Sequence, residues 1–154
     1  VALVEEPDLA LALGRSWNLS DGYARHNTHR GGRAHQVATF MHRLFLGEPA
    51  GREVDHRNRD RLDNRRCNLR AGTKAENRQN VAPRGRSRFR GVHWSTEKRR
   101  WVATTSDNGR RFWLGRFADE EAAALVAHEW LLAHKPFYVP GPEIIELLDR
   151  RAAA

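Results

Sequence analysis

Asp107-Asn108-Gly109 is the tightest constraint in this chain of 154 residues. Asn and Gly accept the positive φ of a two-residue reversal, and the flanking runs Arg100–Ser106 and Arg110–Arg116 read as strands. Together they predict a hairpin. Side chains alternate along a strand, so Phe112 and Leu114 fall on one face and Arg111 and Trp113 on the other. Phe89–Trp94 is a third strand candidate. Downstream, Asp119 can cap a helix whose first turn holds Glu120 and Glu121, and Pro136 bars continuation past about His134. Ala123, Val126, Ala127, Trp130 and Leu131 recur at helical spacing, a stripe able to cover the Phe112 and Leu114 face. A last short helix is expected over Pro142–Arg150.

Charge divides the chain. Residues 52–116 carry 19 Lys/Arg against 7 Asp/Glu, a net of +12, while the rest carry 8 against 12, a net of −4. The overall +8 therefore arises in the middle. Of 27 basic residues 24 are Arg, whose planar fork suits phosphate and guanine edges. A GC-rich genome favours Arg codons, but it does not concentrate them centrally. A polyanion partner, by default nucleic acid, follows. One cysteine excludes a disulfide framework and a cysteine-rich zinc knuckle. No apolar run approaches the roughly 18 residues of a membrane span, and the LALALG stretch follows Glu5, Glu6 and Asp8 rather than basic residues. A cytoplasmic protein with no membrane partner is expected.

Residues 8–50 alternate short apolar runs with turn signals at Ser20–Gly22 and Arg30–Arg33. Strands are expected near Ser16–Leu19, Tyr23–His26 and Ala34–Thr39, then a short helix over Phe40–Leu46 that Gly47 stops. Residues 81–87 contain Pro, Gly and Arg but no large side chain, which suits an exposed linker.

The stretch Val54–Asn80 carries the chemistry. Thr73-x-x-Glu76 is a capping box that starts a helix at Lys74 and puts Asn77 in its first turn. Val54-Asp55-His56 reads as a strand, followed by a polar loop and a return strand around Cys67–Arg70. Asp55 and Asn77 offer oxygen to a hard divalent cation. His56, with an ordinary pKa near ~6.5, can take a proton from water at neutral pH. The combination suits metal-assisted phosphodiester hydrolysis; the competing reading is a structural Asp-His pair in an Asx-rich loop. Asn64 reads as a turn residue, with a phosphate contact as the alternative, and Cys67 as a small buried side chain. His42 either packs beside the site or touches phosphate. His26, His29, His35, His93, His128 and His134 lack ligand spacing.

This segment resembles the HNH (ββα-metal) endonucleases of the phage and intron-associated homing branch. Asp55-His56 matches the family's DH pair, Asn68 in CNLR its central Asn, and Asn77 its last metal-binding position. The stretch from Trp17 through Gly22–Ala24 to Met41–Gly47 is similar to the same branch. The resemblance implies that His56 is the general base, that Asn68 stiffens the loop, and that Asp55 and Asn77 hold the metal. With Asn in the last position, magnesium is implied over zinc, manganese is an expected substitute, and no structural zinc is expected.

Residues 88–137 resemble the Apetala-type (ethylene-response-factor) DNA-binding domain, through FRGVHW, RWVA, the DNG turn, FWLGRF and the DEEAA helix start in order. In that family three antiparallel strands enter the major groove, which accepts a β-ribbon by size. By position, Arg90, Gly91, His93, Thr104, Ser106, Arg111 and Trp113 are implied to face DNA, with Trp94 and Trp101 in the core. His93, Thr104 and Ser106 stand where plant members often carry charged residues, so the plant target sequence does not transfer.

The expected fold is α+β: a ββα-metal HNH unit preceded by short β-hairpins, then a three-stranded antiparallel sheet packed on one helix. The expected division is 1–80 nuclease, 81–87 linker, 88–137 DNA-binding domain, and 138–154 a tail with a short helix. The implied function is a site-selective, metal-dependent endonuclease of the homing or nicking type, acting on double-stranded DNA as a monomer or a DNA-bound dimer. The alternative is a DNA-binding regulator whose HNH fold has decayed.

Overall fold

The computed structural model describes residues 1–29 and 36–154, with only the backbone of His29 and Gln36. The expected turn at Arg30–Arg33 and the histidine at 35 lie outside the described residues. The chain forms two compact units, Val1–Asn80 and Val81–Ala154. Its class is α+β, as the alternation of hairpin and helix signals implies. Among the described residues no helix is long and apolar enough to cross a membrane.

In the first unit a 3-10 turn at Glu6–Asp8 leads into α1 (Leu9–Leu13), an element the strand-dominated reading of this region did not contain. Strands β1 (Asn18–Ser20), β2 (Tyr23–His29) and β3 (Gln36–Phe40) form an antiparallel meander. Helix α2 (Met41–Phe45) follows at once and ends as expected at Gly47, whose φ of +71° suits glycine. Then come β4 (Glu53–His56), a polar loop, and β5 (Leu69–Gly72), paired antiparallel with Asp55 opposite Arg70. The return strand begins later than Cys67, because Arg66–Asn68 closes a 3-10 turn first. Cys67 is exposed there rather than buried, its N–H donating to Glu5 Oε1 at 3.2 Å. Helix α3 (Lys74–Asn77) starts with both halves of the Thr73/Glu76 capping box in place.

Five apolar residues, Ala24, Met41, Phe45, Val54 and Leu69, make the core of this unit. So small a core needs other ties. The N-terminal segment supplies them as a strap. Leu3 bridges to Asp63, Arg66 grips Asp8 with two bonds of 2.7 Å, and Arg65 grips Asp63 likewise. Asp8 and Asp63 are each only 1% exposed, so both carboxylates depend on their arginine fork.

The second unit is built as the turn signal predicts. Strands β6 (Val92–Ser95), β7 (Arg100–Asp107) and β8 (Arg110–Phe117) form an antiparallel sheet in that order. Asn108 and Gly109 both have positive φ, +47° and +78°, the geometry of a tight hairpin turn. Helix α4 (Glu120–His134) is capped by Asp119, whose Oδ2 accepts the Ala122 N–H at 2.8 Å. The first strand starts at Val92 rather than Phe89, because Gly91 turns the chain at φ +80°.

Helix α5 (Pro142–Ala152) is more than a tail. Its Ile144 and Leu147 enter the same core as Phe89, Val92, Ala103, Ala123, Ala124 and Ala127. The alanines explain why the extra helix is needed: small side chains let α4 approach the sheet but bury little area, and α5 adds the missing apolar surface. Ser87 also belongs to this unit rather than to an exposed linker. Its buried Oγ donates to Glu120 Oε1 at 2.7 Å and accepts the Phe89 N–H at 3.0 Å.

Candidate active site and nucleic-acid interface

Asp55 and His56 are adjacent and both buried at the end of β4, and strand alternation sends them to opposite faces. On the Asp55 face, the guanidinium of Arg70, directly across the hairpin, lies 2.7 Å from Oδ2. The amide nitrogen of Asn80 donates toward both Asp55 oxygens at 3.1 and 3.2 Å, and toward the main-chain carbonyls of His56 and Arg57 at 2.8 and 3.0 Å. Asn77 goes elsewhere: its Nδ2 donates to Glu53 Oε2 at 2.7 Å. The carboxamide that reaches Asp55 is thus Asn80. Helix α3 stops at Asn77 and the chain turns, so Asn80 is carried back under β4.

On the other face, His56 sits in an aromatic cage. Its ring centroid lies 5.1 Å from His42, edge-on, and 5.9 Å from Tyr23; Phe40 stacks on the far side of His42 at 5.5 Å. Asn64, fully buried, faces the imidazole with Oδ1 at 3.4 Å from Nε2, while its Nδ2 donates to Leu62 O at 3.1 Å. That second bond fixes which end of the amide faces His56. A carbonyl oxygen opposite Nε2 makes Nε2 the N–H donor and leaves the lone pair on Nδ1. Burial lowers the His56 pKa; the hydrogen bond with Asn64 and, after it, the charges of Asp55, Asp60 and Asp63 pull the other way without winning. The imidazole is therefore neutral at pH 7, the state a proton acceptor needs.

His42 packs beside the site, one of the two places its sequence allowed. Burial, then the neighbouring His56 and Arg43, lowers its pKa from 6.5 to about 4, and its Nδ1 is buried without a partner. Asn64 is a correction: it holds the imidazole from inside rather than serving a surface turn. Nothing in local sequence marks it among the Asx residues of the loop. Asn68 does brace the loop, its Oδ1 accepting the Asn58 N–H at 2.9 Å and its Nδ2 donating to Asn58 Oδ1 and Asp63 O at 2.9 and 2.8 Å. Among the described residues no three His, Cys, Asp or Glu side chains gather into a metal-binding group.

In the second unit Phe112 faces Trp130 of α4 at 5.2 Å, while Trp113 is 62% exposed on the opposite face with Arg116 over its ring at 5.8 Å. Across the hairpin Trp113 pairs with Thr104 and Arg111 with Ser106, so all four share the outward face. His93 pairs with Val102 and is exposed there too. Leu114 is an extra residue in β8: Ala103 pairs with Gly115 and Thr104 with Trp113. A cleft of about 290 Å³ beside β7 is lined by Arg90, Gly91, Thr104, Thr105, Ser106 and Arg111 among others. Five of the seven residues expected to face DNA therefore meet in one place. Gly91 is fixed by packing, since a Cβ there would meet Thr104 O at 3.1 Å and Ala127 Cβ at 3.2 Å, so only its main chain is open to a ligand. Trp94 and Trp101 pack edge-on at 5.2 Å, and Trp101 adjoins the core as expected.

Unit 1 thus carries a polar ββα site, and unit 2 an outward sheet face that bears Arg111 and Trp113. Residues 33–79 match the family model described as HNH endonuclease, and residues 87–133 match that of the AP2 domain. The first match spans Asp55, His56, Asn68 and Asn77 and stops one residue short of Asn80; the second spans the sheet and nearly all of α4. The chain thus combines an HNH endonuclease-type unit with an AP2-type DNA-binding unit. No curated protein and no solved structure matches it.

Proposed function

We propose that the chain is a site-selective, divalent-metal-dependent endonuclease of the homing or nicking type, in which the first unit cuts double-stranded DNA that the second selects. The observation that carries this reading is His56: buried, neutral, held through Nε2 by Asn64, and adjacent in sequence to a carboxylate. In this reading His56 Nδ1 accepts the proton of the attacking water, and burial keeps it free to do so at neutral pH. Asn68 keeps the loop after His56 in shape. Asp55, with a carboxamide from the α3 region, would hold the metal, which when bound supplies Lewis-acid polarisation of the phosphate. Those donors are oxygens with no thiolate, a set that suits magnesium or manganese better than zinc. Exposed arginines of the loop, Arg57 and Arg61 among them, lie where phosphates can reach, and Arg111 and Trp113 on the sheet offer base-edge and stacking contacts. One active site per chain implies a nick, unless two copies meet on DNA.

A supercoiled-plasmid assay tests this directly. Relaxed circles should form with magnesium or manganese and disappear in EDTA, while the melting temperature stays nearly unchanged on chelation. DNA binding without cleavage under every metal condition would leave a DNA-binding regulator with a decayed HNH fold.

A further inference from the structure

Arg90 lines the cleft beside β7 with Thr104, Ser106 and Arg111, all of them residues expected to face DNA. A side chain that lies against it comes from outside the AP2 match, which ends at residue 133. The guanidinium carbon of Arg90 is 5.5 Å from the centre of the Tyr138 ring, within the range of a cation–π contact. Tyr138 belongs to the short connection between α4 and α5 and is half-buried.

Two ties fix that ring. Its hydroxyl lies 3.1 Å from Nδ1 of His128, and the two rings meet edge-on at 5.7 Å. His128, on α4, is 6% exposed; burial lowers its pKa against a weaker upward pull from Glu129, so a neutral imidazole meets the phenol. The Tyr138 N–H donates to Lys135 O at 2.9 Å, and the buried Lys135 pairs its ammonium with Asp107 at the hairpin turn. The ring is therefore tied to the helix that backs the sheet and, through Lys135, to the hairpin that carries Ser106 and Arg111. An arginine on an open surface gives up rotamer freedom when it docks on a ligand. One already laid on an aromatic face gives up less.

We propose that Tyr138 is a positioning residue for DNA recognition: its ring holds Arg90 ready at the cleft, and His128 and Lys135 hold the ring. The recognition unit then extends past α4 into the segment before α5. This rests on the reading of the second unit as the part that selects DNA. Binding is measured with the full chain in EDTA, on a duplex that the wild-type protein has selected from a randomised pool. Tyr138→Leu keeps apolar bulk but removes the ring face, and should weaken binding about fivefold or more with the melting temperature near wild type. In an Arg90→Ala background the same change should alter affinity by less than about twofold, because the residue it acts through is gone. Tyr138→Phe keeps the face and should lose less than the Leu variant. Fluorinated phenylalanines at position 138 keep that shape while draining charge from the ring face, so affinity should fall step by step along the series. Affinity that stays level along the series overturns the proposal, and this arm decides if the Leu variant fails to fold. So does an equal loss from Tyr138→Leu with and without Arg90. A wild-type chain that enriches no sequence from the pool would overturn the selection reading itself, and this assignment with it.

Discussion

The two units keep their functional groups in opposite places. Among its described residues unit 1 buries eight polar or charged ones (Asp8, His42, Asp55, His56, Asp63, Asn64, Asn68 and Asn80) around a core of five apolar ones. Unit 2 buries four polar residues against ten apolar ones, and carries Arg111, Trp113 and His93 on an open sheet face. In the first, the groups assigned to chemistry are also part of what holds the fold. In the second, recognition is spread over a surface that the core does not need. Mutations in unit 1 should therefore move activity and stability together, and mutations on the sheet of unit 2 should separate them.

The largest expected effect also tests where that coupling stops. His56→Ala should remove cleavage, a loss of at least about 100-fold for a general base, while DNA affinity stays near wild type. Near-wild-type nicking by the variant would take His56 out of its assigned role. Next is Arg66→Ala, which leaves the Asp8 carboxylate buried without its fork. It should destabilise unit 1 by about 3 kcal/mol, in urea unfolding followed by the aromatic signals of that unit. An unchanged transition would mean the strap is ornamental to stability.

An effect of similar size comes from His42. Its folded pKa is depressed to about 4, so below pH ~6.5 the unfolded chain takes up a proton that the folded chain refuses. Its contribution is fully present above the unfolded value and is lost as pH falls toward about 4, roughly 3 kcal/mol by linkage. His42→Phe, which keeps a ring beside Phe40, should flatten the melting profile between pH 7 and pH 4; a profile as steep as wild type would count against it.

The smallest effects belong to the sheet. Arg111→Ala should cost about 1–3 kcal/mol on a preferred duplex with unfolding unchanged, and Arg86→Ala should weaken all duplexes alike and lower the salt slope by about one unit. Discrimination that survives Arg111→Ala would make the sheet a general clamp. The recombinant fragment for such binding work should run from Val81 through Ala152, because 88–137 alone lacks Ile144 and Leu147 of its core.

What the sequence disclosed follows the same division. The hairpin at Asp107–Gly109, the Asp119 cap and the Thr73 capping box are local devices, closed by residues two to four apart, and they read directly. So does the placing of Asp55 and His56 on one strand. Leu9–Leu13 alternates Leu with Ala and has no polar positions, so its pattern separates helix from strand poorly, and α1 went unread. Asn64 and Asn80 act across 8 and 25 residues, and an Asn in a polar loop gives no local sign of such a partner. Ile144 and Leu147 were visible as apolar residues of a helix, but which core receives them depends on tertiary packing alone.

The N-terminal strap also sets an order of assembly. Asp8 closes on Arg66 across 58 residues and Glu5 on Cys67 across 62, whereas the hairpin of unit 2 closes on its immediate neighbours. Long-range closure is slow because loop entropy must be overcome before the contact forms. During synthesis Glu5 and Asp8 wait for Cys67 and Arg66, which lie in the turn just before β5. Unit 1 therefore cannot finish folding before nearly all of its own sequence has been made.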